Sequence, residues 1–559
     1  MSPGALQISL VSEIPGWVWT LGVLASVLLS LGLVFRLERP RGHWGHALRR
    51  RFVLGVPWGT LLTVAGVAAV YLFVQGGLDH PRNPVALPFH AWSYFYPLGM
   101  VAAPFSHAGL NHVTGNLQAT LLFAPIAEYA WGHFPRSRGS QSFAGLRTNP
   151  FVRMLAVPVV AVGVGLLTGA FSWGPVIGFS GVVFAFAGFA LASYPITTVV
   201  ALAGSQVLGL LLRALRSPIT VAGSETVIST PGWAQVAIQG HAFGLLVGLL
   251  LGGYLAYRRD RLPAPARLWL ATVIFAVFQA LWAVYVPVSG GRFVLFRGVG
   301  VVIVFLFAVV ATAAVAAPGD RTLLSTLSIP GTAREVVVDL RTRELAVIVL
   351  GATLVAFALV AAVTNLILLD PAVSGGVSVD DYTVTYAENV THQYYSAFGL
   401  GVFGDGEFNT SGVIVASDER NFFWTTVTKG ELAFHGDRTV VLGGPGTRET
   451  VVANRTGWNP VGNESAYSVS LRHGDDRRLA FSSPPTTARP RIAGRQVTIA
   501  PADGGFDLLV GNGSARLGRT EIPSVGSNRT AGGLTFNRTG DGELFAARND
   551  TRVRIAGRS

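Results

Sequence analysis

The chain predicts a polytopic α-helical membrane protein with a β-sandwich-like domain at its C-terminal end. Three observations carry this expectation. Half of the 559 residues are hydrophobic and only 13% are charged, with a mean hydropathy of +0.48; that is the composition of a membrane protein, not of a soluble enzyme. Ten apolar runs stand before residue 370, each near the ~20 residues a helix needs to cross hydrocarbon. After residue 369 the long runs stop and short alternating stretches take over.

The first run, 15–35, follows Glu13 and precedes a basic stretch from Arg36 to Arg51. A cleavable signal has its basic residues in front, so this run reads as a spanning helix. The others lie at 52–75, 110–132, 151–172, 179–196, 198–214, 233–257, 266–288, 293–317 and 345–368. The fifth and sixth are short and divided only by Tyr194-Pro195-Ile196. Arginines mark the cytoplasmic side of such segments. They cluster at 36–51, at 134–153, after the seventh run (Arg258, Arg259, Arg261, Arg267) and between the ninth and tenth (Arg321, Arg334, Arg341, Arg343). Ten spans put all four clusters on one side. The N-terminus and everything after 369 then lie outside a cell membrane, and 318–344 lies along its cytoplasmic surface. Arg213 and Arg216 run against this scheme, falling on the outer side.

The tail carries alternating stretches at 382–386, 467–470 and 496–499, bounded by Gly, Pro, Asn and Asp, which read as strands. Eight of its ten asparagines open an N-x-S/T sequon: Asn389, Asn409, Asn454, Asn463, Asn512, Asn528, Asn537 and Asn549. The five asparagines before it open none. The expectation is an exposed, N-glycosylated domain. His392, His435 and His473 are scattered along it and read as surface histidines.

Composition excludes several functions. With no cysteine there is no disulfide, thiolate nucleophile or cysteine-bound metal. The net charge of +12 sits between apolar runs, as membrane topology requires, and implies no nucleic-acid partner. No H-E-x-x-H metal motif is present, and His107 and His112 are five residues apart, off one helical face. No cofactor or metal is expected. A transporter would show internal repeats, and none is evident.

The polar residues inside the apolar runs carry the functional signal, because ionisable groups in hydrocarbon face a bundle interior or a wet cavity. Gly178-Phe179-Ser180-Gly181 opens the fifth run, and His241 stands about a third of the way into the seventh. A serine hydroxyl needs an adjacent base to become a nucleophile, and a histidine supplies one. His107, His112 and Asn116 open the third run, and His112 and Asn116 share a helical face. With the ten-span topology, Ser180, His241, His112 and Asn116 all fall in the outer half of the bilayer. Gly181, Ala185 and Gly188 follow the serine, and Gly244 and Gly248 the histidine; small residues let bilayer helices touch. Structural readings stand beside these: Ser180 as a helix N-cap, His241, His112 and Asn116 as interhelical hydrogen-bond ties, and His107 and Glu128 as structural groups.

These motifs resemble the rhomboid family of intramembrane serine proteases. Gly178-Phe179-Ser180-Gly181 is similar to the family's G-x-S-G, with Ser180 as nucleophile. His241, Gly244 and Gly248 match its histidine followed by glycines three and seven residues on. His107, His112 and Asn116 match H-x(4)-H-x(3)-N, and Glu128 and Gly132 match E-x(3)-G. The resemblance covers about 50–260. It implies a six-helix core, a Ser180/His241 dyad, and an oxyanion site formed by His112, Asn116 and the Ser180 amide, with Gly178, Gly181, Phe184, His107, Gly244 and Gly248 in support. It implies single-span or other membrane-protein substrates. The resulting division is 1–51, an extra helix and basic loop; 52–261, the protease core; 262–369, three added helices; and 370–559, the outer domain. Two departures stand out. The family's loop Trp-Arg reads Trp92-Ser93 here, so an arginine contact from that loop to the membrane is missing. Its tyrosine four residues after the serine is Phe184, which keeps the ring and loses the hydroxyl. The alternative is a catalytically silent rhomboid-like adaptor or chaperone, although such relatives usually lose the serine or the histidine, and this chain keeps both.

Overall fold

The computed structural model describes residues 15–38, 44–132, 148–219, 237–288, 292–318, 341–370, 375–393, 409–513 and 515–559, with a few short stretches between them. The expected surface segment 318–344 lies mostly outside the described residues.

A helix stands in each of the ten apolar runs. They are α1 (Gly16–Glu38), α2 (Trp58–Ala69, continued by a π turn over Val70–Val74), α3 (Leu110–Trp131), α4 (Pro150–Ala170), α5 (Ser180–Ser193), α6 (Pro195–Arg216), α7 (Ile238–Arg258), α8 (Pro265–Phe278), α9 (Arg297–Ala316) and α10 (Thr342–Asn365). Six of them, α1, α4, α6, α7, α9 and α10, are long and apolar enough to cross a membrane. α2, α5 and α8 are apolar but shorter, and α3 is interrupted by His112, Asn116, Thr120 and Glu128. Proline sets the α5–α6 break: Pro195 cannot continue a helix but fits the first turn of a new one, so α6 starts there.

Two expectations about the helices need correction. The eighth run predicts helix to 288, but α8 ends at Phe278 and Tyr285–Val288 is a strand, β1, paired with β2 (Arg292–Leu295). Tyr285 and Val286 are residue types that favour strands, and Pro287 has no place inside a helix. The seventh helix starts at Ile238, so His241 sits in its first turn, not a third of the way along.

The bundle is centred on α5, where eleven of fourteen residues are buried. α1 is peripheral: Leu28, Leu29 and Phe35 stand 68, 73 and 69% exposed, an apolar face suited to lipid and not to water. Basic helix ends gather at one end of the bundle. Arg51 Nη1 donates to Gly132 O at 2.7 Å, and Arg259 Nη1 and Nη2 donate to Ala130 O and Trp131 O at 2.7 and 2.9 Å. Arg343 donates to Ala317 O and lies over the Tyr257 ring. Glu128, at that same end, accepts from Thr60 N and Oγ1 at 2.9 and 2.8 Å and from Gly59 N at 3.2 Å. It caps the first turn of α2, satisfying amides that have no helical partner.

The tail is β-rich, as expected, but is more than one sandwich. An eight-stranded antiparallel sheet carries two separate four-stranded sheets. One core gathers Val384, Val415, Leu442 and Val469, the other Ile499, Leu508, Phe536 and Ile555. The long strand Thr447–Pro460 spans both halves, pairing with Asp437–Gly444, Ala466–His473 and Thr551–Arg558. His392 is not a surface residue. It is buried against Phe423 and Trp424, and burial lowers its pKa to about 4. His435 is exposed and His473 half-buried. Of the sequon asparagines, Asn389, Asn454, Asn463, Asn512, Asn528 and Asn549 are exposed, while Asn409 and Asn537 are half-buried.

Candidate active site

Ser180 is the first residue of α5. The N-cap position belongs to Phe179, and no side chain caps the helix, so the serine is not its N-cap. His241 lies in the first turn of α7. Both line one cavity of about 30 Å³, shared with Ala103, Thr168, Ser172, Val176 and Gly178. That is room for about one or two waters. The two side chains are not hydrogen-bonded to each other in this structure; in the absence of substrate such pairs are often loose. The His241 ring is fixed by stacking on Phe184, with centroids 4.1 Å apart and planes 13° apart.

What brings the two helices together is the missing side chains. A Cβ on Gly244 would run into Gly181 O, one on Gly248 into Ala185 O, and one on Gly188 into Leu245 O. The backbones are therefore in contact along three turns, from the serine end inward. Gly252 against Ala192, at 2.9 Å from its would-be Cβ, extends the seam beyond the glycines singled out in the sequence.

His112 and Asn116 lie on the other side of the serine turn. Gly178 has φ +124°, and a Cβ there would meet His112 Cε1 and Nε2 at 2.7 Å and Asn116 Nδ2 at 3.4 Å. Only glycine allows both that backbone and that approach. Asn116 Nδ2 is buried without a hydrogen-bond partner, a donor held ready at the edge of the site. His107 is fully buried beneath the same turn: Phe179 N donates to its Nε2 at 3.5 Å, and its ring meets His112 edge-on at 5.1 Å.

Sequence reasoning missed the group that seats His107. Gln75, fully buried, accepts from His107 N at 2.7 Å and donates to His107 O and Val85 O, each at 2.8 Å. A glutamine ending an apolar run was the available signal. Gln239 was missed too. It accepts from Trp173 N at 3.1 Å and donates to Phe171 O at 2.9 Å, tying the end of α4 to the start of α7.

Fold and cavity together define a helical-bundle membrane protein in which a serine and a histidine line one small cavity. Residues 92–258, less than half of the chain, match the family model of the Rhomboid domain, a family whose members are generally intramembrane serine proteases. No curated protein and no solved structure gives a significant match to the chain.

Proposed function

We propose that the protein is an intramembrane serine endopeptidase that cleaves membrane-spanning segments of other proteins with a Ser180/His241 dyad. The observation that carries this reading is the shared cavity: Ser180 and a ring-stacked His241 both line it, with an unpartnered amide donor beside the serine turn. His241 takes the Ser180 proton as Oγ attacks the substrate carbonyl, and returns it to the leaving amine. The Ser180 amide, His112 and Asn116 receive the oxyanion. Water entering at the serine end then hydrolyses the acyl-enzyme.

Ten spans put the basic helix ends in the cytoplasm. The serine end and the tail then face outward from a cell membrane, with the sequons accessible to glycosylation. The division 1–51, 52–261, 262–369 and 370–559 follows from this topology.

The test is cleavage of a co-expressed single-span substrate. Ser180→Ala and His241→Ala should each abolish it at unchanged protein level, and a fluorophosphonate probe should label the wild type at Ser180. Asn116→Ala should lower kcat by ~10²-fold, the usual effect of losing one oxyanion donor. Full cleavage by both dyad variants would refute the mechanism. A wild type that is neither labelled nor active would instead favour a silent adaptor.

A further inference from the structure

The loop between α2 and α3 does not rest on the helices alone. Trp92, where the family's loop motif begins, is buried in the core of the tail, its ring 4.6 Å from Phe422 and 5.7 Å from Trp424. Its indole Nε1 donates to Asn421 O at 2.5 Å. Asn421 sits in the turn between strands Asn409–Ser417 and Phe422–Thr428, with φ +49°. Its Nδ2 donates to Ser93 Oγ at 3.0 Å and to Ile367 O at 2.8 Å, and its Oδ1 accepts from Leu369 N at 2.7 Å. One buried side chain thus joins the loop, the chain leaving α10, and the tail. Its neighbour Arg420 donates to Asp381 Oδ1 and Oδ2 at 2.7 and 2.5 Å and to the Tyr96 hydroxyl of the same loop.

The loop passes this restraint on to the cavity. Ala91 N donates to Val176 O at 2.9 Å and Val176 N to Ala91 O at 3.2 Å. Val176, Ile177 and Gly178 line the cavity on the approach to Ser180. Gly178 N donates to Ala103 O at 2.9 Å, from the far end of the same loop. Asn365, at the end of α10, accepts from Tyr94 N at 3.0 Å and donates to Ser172 O at 3.1 Å, and Ser172 also lines the cavity. Three connections therefore run from the turn at 420–421 to the walls around Ser180.

We propose that Asn421 and Arg420 are positioning residues for the Ser180 site: the tail clamps the α2–α3 loop, and the clamped loop holds the segment that presents the serine. This rests on the protease reading. The tail is then part of the machinery and not a separate appendage.

The test uses the full chain in liposomes with a single-span reporter. Asn421→Gly keeps the left-handed backbone without strain and removes three side-chain hydrogen bonds. Trp92→Phe keeps a smaller aromatic ring and removes the indole donor. Misplacing a reacting group by a fraction of an ångström is expected to lower both kcat and the rate of fluorophosphonate labelling, on the order of 10-fold for Asn421→Gly and about 3-fold for Trp92→Phe. KM should stay near wild type, and the rate losses should persist well below each variant's melting transition, where it is fully folded. A wild type that labels and cleaves, with both variants at the same rates, overturns the positioning role alone. Variants that lose melting and activity in parallel also overturn it, as a purely structural contact. If Asn421→Gly fails to fold, Trp92→Phe decides on the same readouts. A wild type that neither labels nor cleaves overturns the protease reading and this proposal with it.

Discussion

The two seams that enclose the Ser180 cavity differ in what holds them. Between α5 and α7 glycine and alanine let one backbone lie on the other, and the His241 ring stacks on Phe184 at the serine end without a hydrogen bond between the helices. Between the α2–α3 loop and the tail, aromatic rings are buried and a chain of hydrogen bonds crosses through Asn421 and Arg420. The difference follows from the surroundings. In hydrocarbon, burying an apolar side chain gains little over leaving it in lipid, so close packing is the available attraction. Above the bundle, ring burial is driven by water, and buried polar groups must pair. The first seam is therefore governed by volume, whereas the second can be loosened by protons.

The strongest way to break that contrast is Gly244→Leu. Its side chain would have to displace the Gly181 carbonyl, a backbone atom, so the loss should exceed about 3 kcal/mol and abolish the bundle's cooperative melting in detergent. Gly240→Ala is the control. Its Cβ would lie 3.8 Å from Ser172 Oγ, ordinary contact, and the change should stay within about 0.5 kcal/mol. Equal melting of the two variants would remove the backbone-contact account.

Acid should act on the other seam. His392 is buried beside Trp424, which packs on Trp92, and burial lowers its pKa from 6.5 to about 4. The unfolded chain binds this proton first, so stability is complete above about pH 6.5 and falls as the pH drops toward 4. One proton over that window amounts to at most about 3 kcal/mol. Melting of the tail in the full chain should fall between pH 7 and 4, and His392→Gln should flatten the slope. A wild-type profile already flat over that range would count against it.

A smaller effect is expected at Asp381. Burial raises its pKa, but hydrogen bonds from Arg420 and Ser417 outweigh this and leave it below the ordinary value. A depressed carboxyl stabilises the fold above its unfolded pKa and loses that contribution as pH falls through the folded one. Asp381→Asn should cost about 2 kcal/mol at pH 7, as for a charge-assisted hydrogen bond, with the difference from wild type shrinking in acid below about pH 4. A pH-independent difference would mean that the charge contributes nothing.

Much of this was legible in the sequence because it depends on local pattern. Run length marked the ten helices, and Tyr194-Pro195 marked the break between two of them. Gly244 and Gly248 announced the seam through their spacing from His241, and Phe184 kept the ring on which the histidine stacks. Errors came where pattern is ambiguous. The apolar stretch after Phe278 reads equally as helix or strand until Pro287 is weighed, and His392 looks like any tail histidine because burial is not written beside it. The twofold division of the tail was invisible for the same reason, since strands announce themselves singly and sheets are chosen by partners far away in the chain.

The sequence by itself determined the helices, the β-rich tail, and the serine, histidine and glycines of the site, since each follows from residue type and spacing along a few turns. Only the tertiary structure decided that Trp92 belongs to the core of a domain more than three hundred residues later, that Gln75 seats His107, and that Asn421 joins three segments. Those contacts form between residues whose separation along the chain carries no periodic signal, and their geometry is fixed by how whole elements pack.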